Sequence, residues 1–271
     1  MSYSKSDISI LISTMNRSDF SFLSAMFPHH EWRDLNLVIV NQTKKGKELK
    51  SNLENIIVVN SYEIGLSKSR NLALKNSRTT YGVIADDDVV YESDCMVFFL
   101  NAIQQKPELA LYAFKSCDFN NRDRKNYPNS IFNFSLPLKK FKPSSIEIML
   151  NIDLVKNKNL KFDEDFGLGA YYPVGEEEVF LIDLLKVDLN AIFFPKIVVK
   201  HLQESSRTKV KDYDFLKTQL ILYYLNNGWI VNIWLYKYLF YIWRKRLQPR
   251  SEILQIYTIM SAELRKFKSS R

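Results

Sequence analysis

The sequence predicts an α/β fold: a mostly parallel central sheet covered by helices on both faces, followed by a C-terminal helical extension. Three observations carry this. Short, β-branched apolar runs alternate with helix-like stretches along most of the chain, the pattern of a sheet covered on both sides. Each run stops at a polar loop, as strands do where an open sheet presents ligand-binding loops at its carboxyl edge. Beyond Asp212 the strands end and the composition turns aromatic and basic. With 271 residues, 46% of them hydrophobic, the chain can bury one large core. We expect a main domain at 1–206 and a C-terminal basic and aromatic region at 207–271.

In chain order, ISILIST at 8–14 is the first strand, and it stops at Met15-Asn16-Arg17-Ser18-Asp19, residues suited to a loop and a helix start. Runs at 35–40 and 56–59 are the next two, ending at Asn41 and at Asn60-Ser61. Gly65 leads into a helix over 67–75 with Ser67 as its cap. Residues 77–80 turn, and 81–85 make a strand that runs out into Asp86-Asp87-Asp88. A helix over 94–104 is closed by Pro107, and a strand over 109–114 follows. The polar, Asn-rich stretch 116–130 reads as a mobile loop and a candidate lid. Strand-like pieces at 131–138 and 146–150 precede FDEDFGLGA, whose two glycines suggest a close backbone approach. Gly175 then opens an amphipathic helix over 176–185 with Glu176, Glu177 and Glu178 in its first turn. Pieces at 191–194 and 197–200 are the last strands, the second running into His201 and a polar linker at 205–211.

The formal charge of +8 and pI near 9.2 favour a polyanionic partner: nucleic acid, an anionic membrane surface or a phosphorylated substrate. No nucleic-acid-binding module accompanies the charge, which argues against the first. Cys95 and Cys117 are the only cysteines and make no CxxC or Cys/His cluster, so neither a disulfide framework nor a structural zinc site is indicated, and a reducing cytoplasm fits. The N-terminal run is too short and wrongly flanked for a signal peptide. Thr14-Met15-Asn16-Arg17 contains no glycine, which argues against a P-loop enzyme, a dinucleotide-binding dehydrogenase and a sugar-phosphate nucleotidyltransferase.

Three features carry chemistry. Asp86 to Asp88 lie where a buried strand reaches solvent; carboxylates there can share a hard divalent cation that keeps open positions for substrate phosphates. A solvated acidic turn is the competing reading. Glu176 to Glu178 complement a helix dipole, worth about 0.3 to 1 kcal/mol per residue, yet three in a row exceed that need. His201 sits at a strand end, where a histidine taken alone is more often an ordinary one, and its position downstream of the other two features is what makes it a candidate. If the three converge, a metal held by the aspartates and His201 would neutralise a leaving diphosphate, and a glutamate left free of metal would take a proton from an acceptor hydroxyl.

The ordered set ISILISTMNR, LNLVIVNQT, GLSKSRNLAL, VIADDDVVY, FDEDFGLGA, GEEEVFL and IVVKH, spanning roughly 7 to 204, resembles family 2 glycosyltransferases of the GT-A fold, of the bacterial surface-polysaccharide type. That resemblance implies sugar transfer from a nucleotide-diphosphate donor to a hydroxyl of a glycan or lipid-linked acceptor, with inversion, assisted by Mn²⁺ or Mg²⁺ and a carboxylate base. It implies that Asp86 and Asp88 stand for the DxD motif, with Asp88 the direct metal ligand and Asp87 the spare. GEEEVF is similar to the family's Glu-Asp motif, which puts Glu177 at the base position with Glu176 beside it; a glutamate there departs from the commoner aspartate, and the choice among Glu176, Glu177 and Glu178 stays open. Thr14, Asn16 and Arg17 would lie at the nucleotide end of the first strand. Asn41 stands where many relatives carry an aspartate that reads the base; an amide can still bond a uracil edge, so UDP is the favoured nucleotide. Arg70 and Asn71 would lie beside the diphosphate, and residues 166–170 would wall the sugar pocket. The alternatives weighed are a non-catalytic glycan- or membrane-binding scaffold on the same fold, and the nucleotidyltransferase already disfavoured.

In the tail, no apolar piece reaches the roughly 20 residues of a membrane span. Trp229, Trp234, Tyr236, Tyr238, Tyr241 and Trp243, flanked by Lys and Arg, suit a helix lying in a headgroup zone, and equally a helix packed on the main domain or in a dimer interface. Ser251 is the expected cap of a last helix over 252–268. The expected location is the cytoplasm, at the inner face of the membrane; oligomeric state is left open.

Overall fold

The computed structural model describes residues 3–139, 141–201, 213–245 and 249–271. Strands β1 (Ile8–Met15), β2 (Asn36–Gln42), β3 (Ile56–Ser61), β4 (Tyr81–Asp86), β5 (Val90–Tyr91), β6 (Leu111–Cys117), β7 (Phe132–Asn133), β8 (Ile148–Asn151) and β9 (Ala191–Lys200) form one sheet. Its order is β3-β2-β1-β4-β8-β6-β9-β5, with β7 paired to β9. The half from β3 to β4 is parallel throughout. The other half is mixed, because β8 runs antiparallel between β4 and β6 and only β6 and β9 pair in parallel.

Side-chain alternation explains why both faces are covered. Ile8, Ile10 and Ile12 of β1, Leu37 and Ile39 of β2, and Tyr81, Val83 and Ala85 of β4 belong to one hydrophobic cluster. Leu11, Val38, Val40 and Ile84, the residues between them, belong to a second cluster on the opposite face. With period two, successive side chains of a strand must find separate cores. Helices α1 (Ser21–Met26), α2 (Leu66–Asn76), α3 (Cys95–Gln105), α4 (Ile152–Asn157) and α5 (Glu176–Lys186) surround the sheet.

Several sequence expectations are corrected. The α2 cap position is Gly65 at φ +144°, and the Ser67 hydroxyl instead donates to the Phe166 carbonyl at 2.6 Å. Residues 191–200 are one strand through Pro195, because register shifts in the pairing with β6 absorb the irregularity. Within the piece expected at 131–138 only two residues pair as a strand. The 116–130 loop is tied down: the Tyr127 hydroxyl donates to Glu147 Oε1 at 2.5 Å and Lys125 reaches Glu147 Oε2 at 3.2 Å.

The C-terminal region folds as α6 (Tyr213–Asn227), α7 (Val231–Lys245) and α8 (Arg250–Ser269). Their apolar faces share a third cluster with Phe166, Tyr172 and Val179, so the bundle is packed on the α5 side of the main body. The last helix starts after Pro249 rather than at Ser251. Among the described residues no helix is long and apolar enough to cross a membrane. The expected boundary at 206–207 and the linker at 205–211 lie outside the described residues.

Candidate active site

The carboxyl edge of the parallel half brings the first group of residues together. Register places Thr14 of β1 opposite Asn41 of β2 and Asn41 opposite Asn60 of β3, while Ser13 lies opposite Asp86 of β4. From this edge the three aspartates diverge. Asp87 accepts from the Thr14 hydroxyl and takes the Arg17 guanidinium at 2.6 Å. Asp86 turns inward to Arg70 Nη2 at 3.1 Å. Asp88 meets His201 Nε2 at 3.2 Å.

The last contact follows from topology. β5 pairs antiparallel with the end of β9, Val90 opposite Lys200, so the residues just before Val90 and just after Lys200 must be neighbours. Asp88 remains the most open of the three, and the His201 hydrogen bond holds its carboxyl below the usual range, with the charge of Arg124 adding to the effect.

Arg70 is the hinge of the site. It is 1% exposed on α2, yet its guanidinium bonds Glu176 Oε1, Asp86 Oδ1 and, at 2.8 Å, the Ser145 hydroxyl. A planar fork of five N–H donors can reach acceptors set apart on separate elements, where a lysine offers three donors from a single point. One buried cation therefore ties the end of β4 to the first turn of α5, and the two acidic clusters, ninety residues apart in sequence, meet at one place. Gly167 approaches this turn closely: a Cβ added there would lie 3.2 Å from Glu176 Oε2 and 3.1 Å from the Ser67 hydroxyl.

The three glutamates of α5 have separate fates. Glu176 is spent on Arg70, and Glu178 is paired with Lys142 at 2.5 Å. Among the described residues Glu177 has no such cation: burial, and then the neighbouring charge of Glu176, push its carboxyl up to about 8, against its backbone hydrogen bond and the charges of Arg70 and Lys125. A carboxyl poised near the working pH has the affinity a general base needs.

Other expected ligand-binding residues are engaged by the protein itself. The Asn41 amide accepts from the Arg17 N–H at 3.0 Å and donates to the Arg17 carbonyl at 2.9 Å and to Asn60, so it fixes the loop that carries Arg17 instead of offering a free edge to a base. Asn71, one residue round α2 from Arg70, bonds both the N–H and the carbonyl of Phe162, at 2.8 and 2.9 Å, and faces away from the aspartates. Arg70 itself is committed to carboxylates and is not open to a diphosphate. Asn16 is exposed at φ +56°, its N–H donating to the Gln42 carbonyl at 2.9 Å. Phe166 is buried in the C-terminal cluster, while Leu168 is exposed.

For the cation, the donor set is narrower than the sequence suggested. Asp86 is withdrawn to Arg70, and among the described residues no group of three or more His, Cys, Asp or Glu side chains is arranged to hold an ion. Asp88 with His201 gives two adjacent donors, which fits a magnesium- or manganese-type ion drawing its remaining ligands from water and substrate phosphate.

Glu147 was missed in the sequence reading. It is fully buried and receives the Ser116 hydroxyl at 2.6 Å, the Ser144 N–H at 2.7 Å, Tyr127 and Lys125. The signal was the S-x-x-E spacing of Ser144 and Glu147 before an apolar run, a capping box.

With this geometry described, comparison with known proteins is informative. Residues 9–153 match the family described as glycosyl transferase family 2. The chain belongs to that family. The match covers β1 through the start of α4, and so includes Arg70 and the aspartates, but it stops before α5 and His201. This family 2 member is similar in fold to S. aureus TarS. Against TarS 1-349 in complex with UDP-GlcNAc the TM-score is 0.54 at 14% identity, over 80% of this chain and 66% of that one. Against TarS 1-349 in complex with UDP it is 0.51 at 14% identity, over 81% and 66%. A longer TarS structure gives 0.52 at 16% identity over 80% of this chain but 39% of that chain, so these relatives extend beyond the length matched here. No curated protein matches the sequence.

Proposed function

We propose that the protein transfers a sugar from a nucleoside-diphosphate donor, a UDP-sugar foremost, to a hydroxyl of a glycan or lipid-linked acceptor in surface-polysaccharide synthesis, inverting the anomeric carbon. The observation that carries this is the Arg70 bridge, which joins Asp86 at the end of β4 to Glu176 in the first turn of α5. Family membership supports the reaction class, and the TarS complexes with UDP and UDP-GlcNAc support the choice of nucleotide.

Glu177 is the base. Its carboxylate takes the proton of the acceptor hydroxyl as that oxygen bonds to the anomeric carbon; the bond from that carbon to the diphosphate oxygen breaks, and the nucleoside diphosphate leaves. Burial and the neighbouring Glu176 charge raise the proton affinity of Glu177, and Arg70 lowers it. Asp88 and His201 would hold a divalent cation, which supplies charge neutralisation at the departing diphosphate. Arg17, whose guanidinium pairs with Asp87 beside the end of β1, would serve phosphate or ribose there.

A screen of UDP-, GDP- and dTDP-sugars for release of free nucleoside diphosphate, with Mn²⁺ or Mg²⁺, tests the proposal. A UDP-sugar is expected to be hydrolysed slowly without acceptor, and no release from any donor with either metal would count against the reading.

A further inference from the structure

We propose that α7, with the adjoining start of α8, is a docking surface for an anionic lipid bilayer. It is independent of which donor the site takes.

The helix is apolar on two opposite faces. Val231, Leu235, Leu239 and Ile242 face inward to the third cluster. On the other side Trp229, Ile233, Tyr236, Phe240 and Trp243 are all exposed, and their spacing of four, three, four and three residues makes one stripe about 20 Å long at helical rise. Leu254 of α8 is 72% exposed and extends the stripe, and together these helices line an apolar cavity of about 570 Å³. An exposed apolar strip of this size on a folded protein marks an interaction site.

Charge decides what covers it. α7 carries Lys237, Arg244 and Lys245 and no Asp or Glu. A second copy of this face would bring its own cations and, from the start of α8, only Glu252 to meet them. Anionic headgroups meet them directly, and tryptophan, tyrosine and phenylalanine between cations suit the headgroup and upper acyl depth of a helix lying in the plane of the interface. The opposite side of α8 is tied to the site: Glu263 accepts from the Tyr172 hydroxyl at 2.7 Å and from Tyr171 at 3.1 Å, and Arg271 pairs with Asp163, so the loop before α5 is anchored on the docking helices.

Vesicle co-sedimentation of the full chain tests this, with phosphatidylglycerol–phosphatidylcholine vesicles against phosphatidylcholine alone. The wild-type chain is expected to sediment with the anionic vesicles, at least tenfold less without the anionic lipid, and less as salt is raised. Phe240→Asp and, separately, Arg244→Glu are expected to lower binding about tenfold while leaving the melting temperature unchanged. Three results would overturn the proposal: no sedimentation of the wild type with anionic vesicles, undiminished binding by both variants, or a wild-type dimer in sedimentation equilibrium that Phe240→Asp splits without any loss of vesicle binding.

Discussion

Replacing Arg70 by methionine removes the buried cation that Asp86 and Glu176 share. In the folded protein Arg70 is almost fully buried and bonds Glu176, Asp86 and Ser145, so its loss strands Glu176 in a low-dielectric setting with no counter-charge. Breaking a buried ion pair from one side costs about 3–5 kcal/mol, chiefly because the remaining charge is left unpaired. At about 2 °C of melting temperature per kcal/mol for a chain of this size, Arg70→Met is expected to melt roughly 6–10 °C lower. Adding Glu176→Gln removes the stranded charge and should restore about half of the loss. Circular dichroism melts at pH 7 of the wild type, both single variants and the double variant complete the cycle. A loss under about 1 kcal/mol for Arg70→Met, or no relief from Glu176→Gln, would refute the view that this arginine knits the two clusters.

The remaining predictions concern proton affinity and backbone geometry. Glu177 titrates from an ordinary 4.5 to about 8 in the fold, so the fold favours its protonated form and loses stability as pH rises through that window, at up to about 1.4 kcal/mol per unit. Glu177→Gln should therefore be more stable than wild type at pH 9 and equal to it at pH 4, read as melting temperature; a constant difference across pH would contradict this. Donor turnover should rise with pH to a midpoint near 8, and Glu176→Gln should move that midpoint down, since the neighbouring charge is gone. An unmoved midpoint would exclude Glu177 as the titrating group. Gly175 sits at φ +93° and an added Cβ would lie 2.6 Å from Leu222 Cδ1, so Gly175→Ala should cost on the order of 1–3 kcal/mol in urea unfolding.

The parallel half of the sheet was legible in the sequence because each of its strands is a two-sided apolar run ending in a polar residue; the position of Asp86 to Asp88 followed from one of those ends, and that of Glu176 to Glu178 from Gly175 opening an amphipathic helix. What the sequence could not supply was partnership. SKSRN reads as a phosphate-binding signature, but which acceptor a guanidinium takes depends on burial, and α2 turns Arg70 inward to carboxylates while Asn71 faces Phe162. The same holds for the aspartates: alternation along the chain suggested that Asp86 and Asp88 share one ion, whereas the short β5 pairing draws Asp88 to His201 and leaves Asp86 to Arg70. Glu147 looked like an isolated charge in an apolar piece, since its partners Ser116, Tyr127 and Lys125 come from a loop about twenty to thirty residues earlier.

Calorimetric titration of UDP with Mn²⁺ into the wild type, Asp88→Ala and Glu177→Gln, run beside donor turnover by the same three proteins, separates the roles given to the two acidic clusters. Glu177→Gln should bind UDP as the wild type does and lose turnover by 10²-fold or more, while Asp88→Ala should lose metal-dependent binding and turnover together. Full turnover by Glu177→Gln, or unaltered metal-dependent UDP binding by Asp88→Ala, would contradict the assignment.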